Sequence, residues 1–119
     1  MSHHAVLIVA ADPLAAALLG AAVEHGGSAP HFPQAGEAPR AALLRLRPRL
    51  VLVSCDHTEA CSDGFIGPAL MTGARVLLIQ TRTMTPETRA TVDRLGLSLV
   101  DLSRDTDAVV REVAALDDD

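Results

Sequence analysis

The chain has 119 residues, with 10 Lys or Arg against 15 Asp or Glu, so its formal net charge is −5. This length predicts one domain at residues 1–119, with a core at about 5–116 and a frayed acidic tail at 117–119. The acidic balance and the lack of Trp and Tyr argue against direct nucleic-acid binding. Apolar runs fall well short of the roughly 20 residues of a membrane span, and we recognise no signal peptide. We therefore expect a cytoplasmic protein that makes no membrane contact and keeps its cysteines reduced.

The chain begins with an apolar strand and a helix. Ala5–Val9 is predicted to be the first strand, after which Asp12 caps a helix that has Pro13 in its first position. The helix is expected to run to about His25, because Gly26 and the glycine after it end the pattern. The residues predicted on one apolar face are Leu14, Leu18, Ala21 and Ala22.

A weak strand, a second helix and a strong strand follow. Ser28–Phe32 contains Pro30, which places it at a sheet edge. The second helix begins near Glu37 and stops at Pro48. Its apolar residues are Leu43, Leu44 and Leu46. Leu50–Val53 is apolar on both sides and is therefore predicted to be a central strand.

The middle of the chain contains a long polar loop, Ser54–Gly64, and then a short helix that Pro68 is expected to interrupt. Val76–Ile79 is the fourth predicted strand. Thr85, followed by Pro and Glu, has the sequence of a helix start, and that helix should end at Leu95.

The last predicted elements are a strand at Leu97–Leu102 and a helix from about Asp105. The apolar face of this helix comprises Val109, Val110, Val113 and Leu116. Five strands alternating with helices predict a flavodoxin-like α/β fold: a doubly wound parallel sheet in the order 2-1-3-4-5 with helices on both faces. Any site should lie at the carboxyl ends of strands one and three, where the strand order reverses.

Three segments resemble the receiver domain of response regulators, the CheY-like family. VLIVAADP (Val6–Pro13) is similar to that family's VLIVDDDP, and GEAPRAALLRLRPRLVLVS (Gly36–Ser54) is similar to GEEAL…RPDLVLLD. SDGF (Ser62–Phe65) is similar to MDGL. The resemblance implies bacterial two-component signalling, in which acids after strand one and an aspartate after strand three hold Mg²⁺ and the aspartate accepts a phosphoryl group. Oxygen ligands of this kind suit Mg²⁺.

This chain departs from the family's pattern at nearly every phosphorylation position, which implies a degenerate pseudo-receiver. The residues at these positions are Ala10 and Ala11 for the acidic pair, Asp12 for a third acid, Gln80 with Thr81 beside it for the hydroxyl, and Leu102 for the lysine. The acceptor falls on Ser54 when counted forward from Gly36 and Pro48, and on Asp56 when counted back from Asp63. We favour Ser54, because the strand is better delimited than the loop.

The polar loop also carries Cys55, His57 and Cys61. Their spacing is not an established zinc pattern and a fourth ligand is not evident, so we predict no metal. A Cys55–His57 nucleophile is conceivable, but no third group is identified to orient it.

The sequence thus predicts a phosphorylation-independent receiver-like domain that binds another signalling protein constitutively, and that is neither an enzyme nor dependent on a cofactor. In receivers the face formed by helix four, strand five and helix five makes output contacts or homodimers. Its residues here are Arg89, Asp93, Arg94, Leu99, Asp105, Arg111 and Glu112. One alternative is a divergent regulator that is phosphorylated at Asp56. Another is a small-ligand or metal-binding α/β module, although no Gly-rich phosphate loop is present.

Overall fold

The computed structural model describes residues 4–80, 85–102 and 104–118, where strands and helices alternate. The strands are Ala5–Val9 (β1), Ala29–His31 (β2), Leu50–Ser54 (β3), Arg75–Gln80 (β4) and Ser98–Asp101 (β5). The α-helices are Pro13–His25 (α1), Pro39–Leu46 (α2), Asp63–Met71 (α3), Pro86–Leu95 (α4) and Asp107–Ala114 (α5). A 3₁₀ turn, Ala115–Asp118, extends α5 into the acidic end that we expected to be frayed.

The five strands form one parallel sheet in the order β2-β1-β3-β4-β5, which confirms the predicted fold class. β3 lies at the centre and all five of its residues are buried, as its continuous apolar sequence predicts. β2 is a short strand at the edge of the sheet and pairs with β1 alone. Because no strand lies on its other side, the missing N–H of Pro30 costs no hydrogen bond there.

Alternate residues of the strands point to opposite faces and build two apolar layers. On one face, strand residues such as Val51 and Val53 pack with α2, α3 and α4. On the other face, Leu50 and Leu52 pack with α1 and α5. The same alternation sends Ser54 toward the α1–α5 side and Cys55, which follows the strand, toward the α2–α4 side.

The predicted apolar face of α1 is correct only in part: Ala22 is buried in the core, whereas Ala21 is exposed. Leu14 and Leu18 are 66% and 46% exposed. The core contacts come instead from Ala15, Leu19 and Val23, which are four residues apart and lie on one stripe. α1 is apolar around most of its circumference, so its sequence periodicity could not select the face that meets the sheet.

In α2, Leu43 is fully buried and Leu46 packs against the core, whereas Leu44 is 57% exposed. One further expectation is wrong, because Pro68 does not interrupt the helix that contains it. α3 runs continuously through Pro68 to Met71. Proline removes one backbone hydrogen bond there, and the burial of Phe65 and Ile66 against the sheet outweighs that loss.

Candidate functional site

The site predicted from the strand order lies where β1 and β3 end. Ala10 and Ala11 follow β1, and Ser54 is the last residue of β3. Gln80 ends β4, and its carbonyl oxygen accepts a hydrogen bond from the Leu102 N–H at 3.0 Å. Thr81, the predicted neighbour of Gln80, lies outside the described residues.

Asp56 is the residue that joins the two loops of the site. Its Oδ1 accepts a hydrogen bond from the Ala11 N–H at 3.2 Å, and its Oδ2 accepts one from the Asp12 N–H at 2.9 Å. Both donors are at the start of α1, where the helix dipole and unpaired N–H groups favour an anion. The Asp56 carboxylate therefore occupies the anion-binding end of α1 and links the β3–α3 loop to the β1–α1 loop.

Asp12 is the N-cap of α1, as the sequence predicts. Its Oδ1 accepts a hydrogen bond from the Leu14 N–H at 3.2 Å, and Pro13 occupies the first turn. The side chains of Ala10 and Ala11 bring only methyl groups to the same loop.

These residues do not fit a Mg²⁺ ion of the kind that the resemblance implies. Mg²⁺ needs oxygen ligands, and Ala10 and Ala11 offer no side-chain oxygen. The carboxylates of Asp12 and Asp56 already accept backbone N–H groups. The described part of the chain has no group of three or more His, Cys, Asp or Glu side chains that could hold a metal ion.

Ser54 and Asp56, the two candidates for the acceptor position, have different surroundings. Ser54 is fully buried, and its hydroxyl oxygen makes no hydrogen bond within the described structure. Asp56 is half-buried and reaches the β1–α1 loop. Geometry thus places the carboxylate of Asp56, and not the favoured hydroxyl of Ser54, against the residues that follow β1.

The loop after Asp56 is closed by two backbone hydrogen bonds and carries Cys61, six residues after Cys55. The His57 N–H donates to the Ser54 carbonyl at 3.1 Å, and the Cys61 N–H donates to the His57 carbonyl at 2.9 Å. His57 Nδ1 accepts the Ala60 N–H at 3.1 Å, so this nitrogen does not serve as a base for either thiol. Cys55 and Cys61 are free cysteines, and both pack against the α2–α4 apolar layer.

The surroundings of the two thiols shift their pKa values in opposite directions. The hydrogen bond from Cys55 lowers the pKa of the Cys61 thiol to about 7, and a further hydrogen bond from Thr88 of α4 acts in the same direction. The same hydrogen bond to Cys61, together with burial, raises the pKa of the Cys55 thiol above its ordinary range. Sequence reasoning considered these residues as zinc ligands, as a Cys–His pair, or, for Cys55, as a small apolar residue in the core. Both cysteines do pack against the core in the structure.

Much of the predicted partner face is engaged in internal ion pairs. Arg94 of α4 contacts both carboxylate oxygens of Asp63 at 2.8 and 2.7 Å. Arg111 pairs with Asp105 at 3.0 Å, and Glu112 accepts a 2.6 Å hydrogen bond from Arg75.

The rest of that face is divided between core and surface. Leu99 packs against the α2–α4 layer. Arg89 and Asp93 are exposed, and the described residues provide no ion-pair partner for either of them.

Surface grooves are relevant to the alternative function, which is the binding of a small ligand. One lies between α1 and α5 and is lined by residues including Leu18, His25 and Val110. Another lies beside Gly27 and Ser28, at the opposite end of the sheet from Asp56. Neither groove includes a residue of the predicted switch-point site.

The helices of the described ranges include none long and apolar enough to cross a membrane.

Comparison with solved structures supports the fold class of this chain, whereas comparisons of its sequence find no match. The sequence matches no protein-family model and no curated protein. The structure is similar to the crystal structure of the pilus assembly protein CpaE from Caulobacter crescentus CB15, with a TM-score of 0.61 and 19% sequence identity. The match covers 98% of this chain and 95% of the other. The chain therefore has a receiver-like α/β fold.

Proposed function

We propose that this protein is a receiver-like signalling domain of the two-component type that works without phosphorylation, by binding another protein. The observation that carries the proposal is the engagement of Asp56. In a phosphorylatable site the acceptor carboxylate lies beside a metal ion, whereas here both of its oxygens accept backbone N–H groups of the β1–α1 loop. Ala10 and Ala11, at the positions of the family's acidic pair, bring no side-chain oxygen that could hold the metal whose charge assists phosphoryl transfer.

Incubation with acetyl phosphate and Mg²⁺, followed by intact-protein mass spectrometry, tests the loss of phosphorylation. We expect no phosphoryl adduct on the wild-type protein. Asp56→Asn is the matched control, because the geometry makes Asp56 the carboxylate that an active site would use. An adduct on the wild type that is absent from Asp56→Asn would contradict the proposal and establish the phosphorylatable alternative.

Exposed charge on α4 supports a protein partner. Arg89 and Asp93 lie four residues apart on the helix, so their side chains project from neighbouring positions on one face. Arg94 and Arg111 are already paired internally, which leaves Arg89 and Asp93 as the charges of this face available to a partner without breaking an ion pair. Exposed charges of this kind contribute mainly to partner choice and association rate. The likeness to a pilus assembly protein is compatible with a role in assembly in place of phosphotransfer.

In vivo cross-linking, with identification of the captured partner by mass spectrometry, tests this face. Arg89→Glu should abolish capture of a partner that the wild-type protein retains. The matched control is Arg40→Glu, which reverses an equally exposed charge on α2, away from β5. Equal loss in both variants, or in neither, would mean that the α4 face is not the contact.

Exchanging the charges of Arg89 and Asp93 distinguishes a homodimer through this face from the binding of a different protein. In a two-fold symmetric contact, Arg89 of each copy would face Asp93 of the other. The double variant Arg89→Asp with Asp93→Arg would then retain self-association in sedimentation experiments, while it would still lose a heterologous partner.

A further inference from the structure

The solvent side of α1 is apolar for most of the length of the helix. Pro13–Val23 contains only Pro, Gly, Ala, Leu and Val residues. Leu14 and Leu18 are 66% and 46% exposed, and Ala21 is exposed beside them. A surface helix ordinarily carries charged or polar residues on its solvent side, as α2, α4 and α5 do with their exposed arginines. An exposed apolar helix face of this kind indicates a contact with another protein surface.

Four exposed residues form one stripe along this side of α1: Leu14, Leu18, Ala21 and His25. They are spaced by four, three and four residues, which is the spacing that aligns side chains along the seam between two packed helices. A groove runs beside the stripe, between α1 and α5, and Val110 is among the residues that line it. The described part of the chain leaves both the stripe and the groove uncovered.

The stripe is complementary to a second copy of itself. When two α1 helices pack antiparallel about a two-fold axis that passes between Leu18 and Ala21, each Leu18 meets the Ala21 of the other copy. Each Leu14 then meets the other His25. A large side chain thus faces a small one at both central positions, which allows the two helices to interdigitate. Such an arrangement uses the same surface on both copies, as two-fold homodimers do.

Charge at the two ends of α1 favours the same antiparallel arrangement. Asp12 and His25 lie at opposite ends of the helix, and both are exposed. Antiparallel packing places the Asp12 end of one copy beside the His25 end of the other, and it places helix ends of opposite partial charge side by side. Glu24, the other charged residue near the end of α1, lines a groove on the β2 side and therefore lies away from the stripe.

We propose that this stripe is the contact of a homodimer in which the α1 helices of two copies pack antiparallel across a two-fold axis. Leu14 of each copy enters the groove between α1 and α5 of the other, beside His25 and Val110. The seam spans about 16 Å, so the contact is at the small, transient end of protein interfaces. α4 packs on the opposite face of the sheet from α1, so this inference is independent of the partner binding proposed for α4.

Sedimentation equilibrium of the full chain, at concentrations up to about 1 mM, tests the proposal. The wild type should show a monomer–dimer equilibrium. Leu18→Glu puts a carboxylate at the centre of the seam and should weaken dimerisation at least about ten-fold. The matched control is Leu44→Glu, which makes the same change at an exposed leucine of α2 and should leave dimerisation unchanged. Arg89→Glu should also leave it unchanged, which distinguishes this contact from a dimer through the α4 face.

A mixture of two variants tests the antiparallel pairing itself. Ala21→Lys alone should weaken dimerisation, but mixing it with Leu18→Glu should restore association, because the new carboxylate and the new ammonium group face each other in the mixed dimer. The proposal is overturned if the wild type stays monomeric, even if it then binds a different protein through α1. It is also overturned if Leu44→Glu weakens the dimer as much as Leu18→Glu does, or if the mixture associates no more tightly than either variant alone.

Discussion

Replacing Asp56 by Asn tests whether its carboxylate stabilises the two loops of the switch-point site. Asn has almost the same shape, but its amide presents one acceptor oxygen in place of two, so one of the bonds to the Ala11 and Asp12 N–H groups is lost. Hydrogen bonds to a charged group contribute roughly 1.5–3 kcal/mol each, and the partial exposure of these bonds reduces that value. We expect the free energy of unfolding to fall by about 1–2 kcal/mol.

The competing effect is repulsion between the carboxylates of Asp12 and Asp56, which Asp56→Asn relieves. The Asp12 side chain is exposed, so water and salt screen this repulsion, and we expect the loss of the hydrogen bond to prevail. Urea unfolding followed by far-UV circular dichroism is the assay, since the chain has no Trp or Tyr.

The control for loss of one negative charge is Asp93→Asn on α4, which is exposed and should change stability by less than about 0.5 kcal/mol. Equal stability of Asp56→Asn and Asp93→Asn would refute a structural role for the two hydrogen bonds. A more stable Asp56→Asn would show that carboxylate repulsion dominates at the start of α1.

Other parts of the molecule lead to three further predictions. A Cβ at Gly26 would lie 2.8 Å from the Val113 side chain, so Gly26→Ala should lower the unfolding free energy by about 1–3 kcal/mol in urea, whereas Gly67→Ala, which meets no neighbour, should cost much less. Alkylation of Cys61 by iodoacetamide should reach half its maximal rate near pH 7 and rise with pH as thiolate forms. Cys55→Ala, which removes the donor, should move that midpoint upward; an unchanged midpoint would contradict the role of Cys55 in lowering the pKa of Cys61. The hydrogen-bonded ion pair with Arg45 lowers the pKa of Glu37 to about 2. This carboxylate therefore stabilises the folded state above the pKa that it has in the unfolded chain, and the stabilisation is lost as the pH falls toward 2. NMR titration should find Glu37 ionised at pH 4, and Arg45→Gln should raise its pKa.

The local elements were predictable because their signals are local. Asp12 caps α1, and Gly96 ends α4 in the left-handed conformation that a glycine adopts without strain. Strand β3 follows from its apolar run, and the edge position of β2 follows from its proline.

The candidate site was only partly predictable. Counting along the chain left two candidates for the acceptor position, Ser54 and Asp56, of which we favoured Ser54. The contacts of Asp56 depend on a turn that redirects the chain after β3, and on hydrogen bonds that its carboxylate accepts from residues 44 and 45 positions earlier. No local pattern encodes such distant contacts.

The sequence by itself determined the number, type and order of the elements, because helix periodicity, caps and apolar strands act over a few residues. Tertiary structure decided which stripe of the nearly uniform apolar helix α1 meets the sheet, because only packing against β1 and α5 distinguishes Leu19 from Leu18. It also decided that Cys55 and Cys61 pack against the same apolar layer, because only the folded loop, with its hydrogen-bonded turn, places both side chains on that face of the sheet.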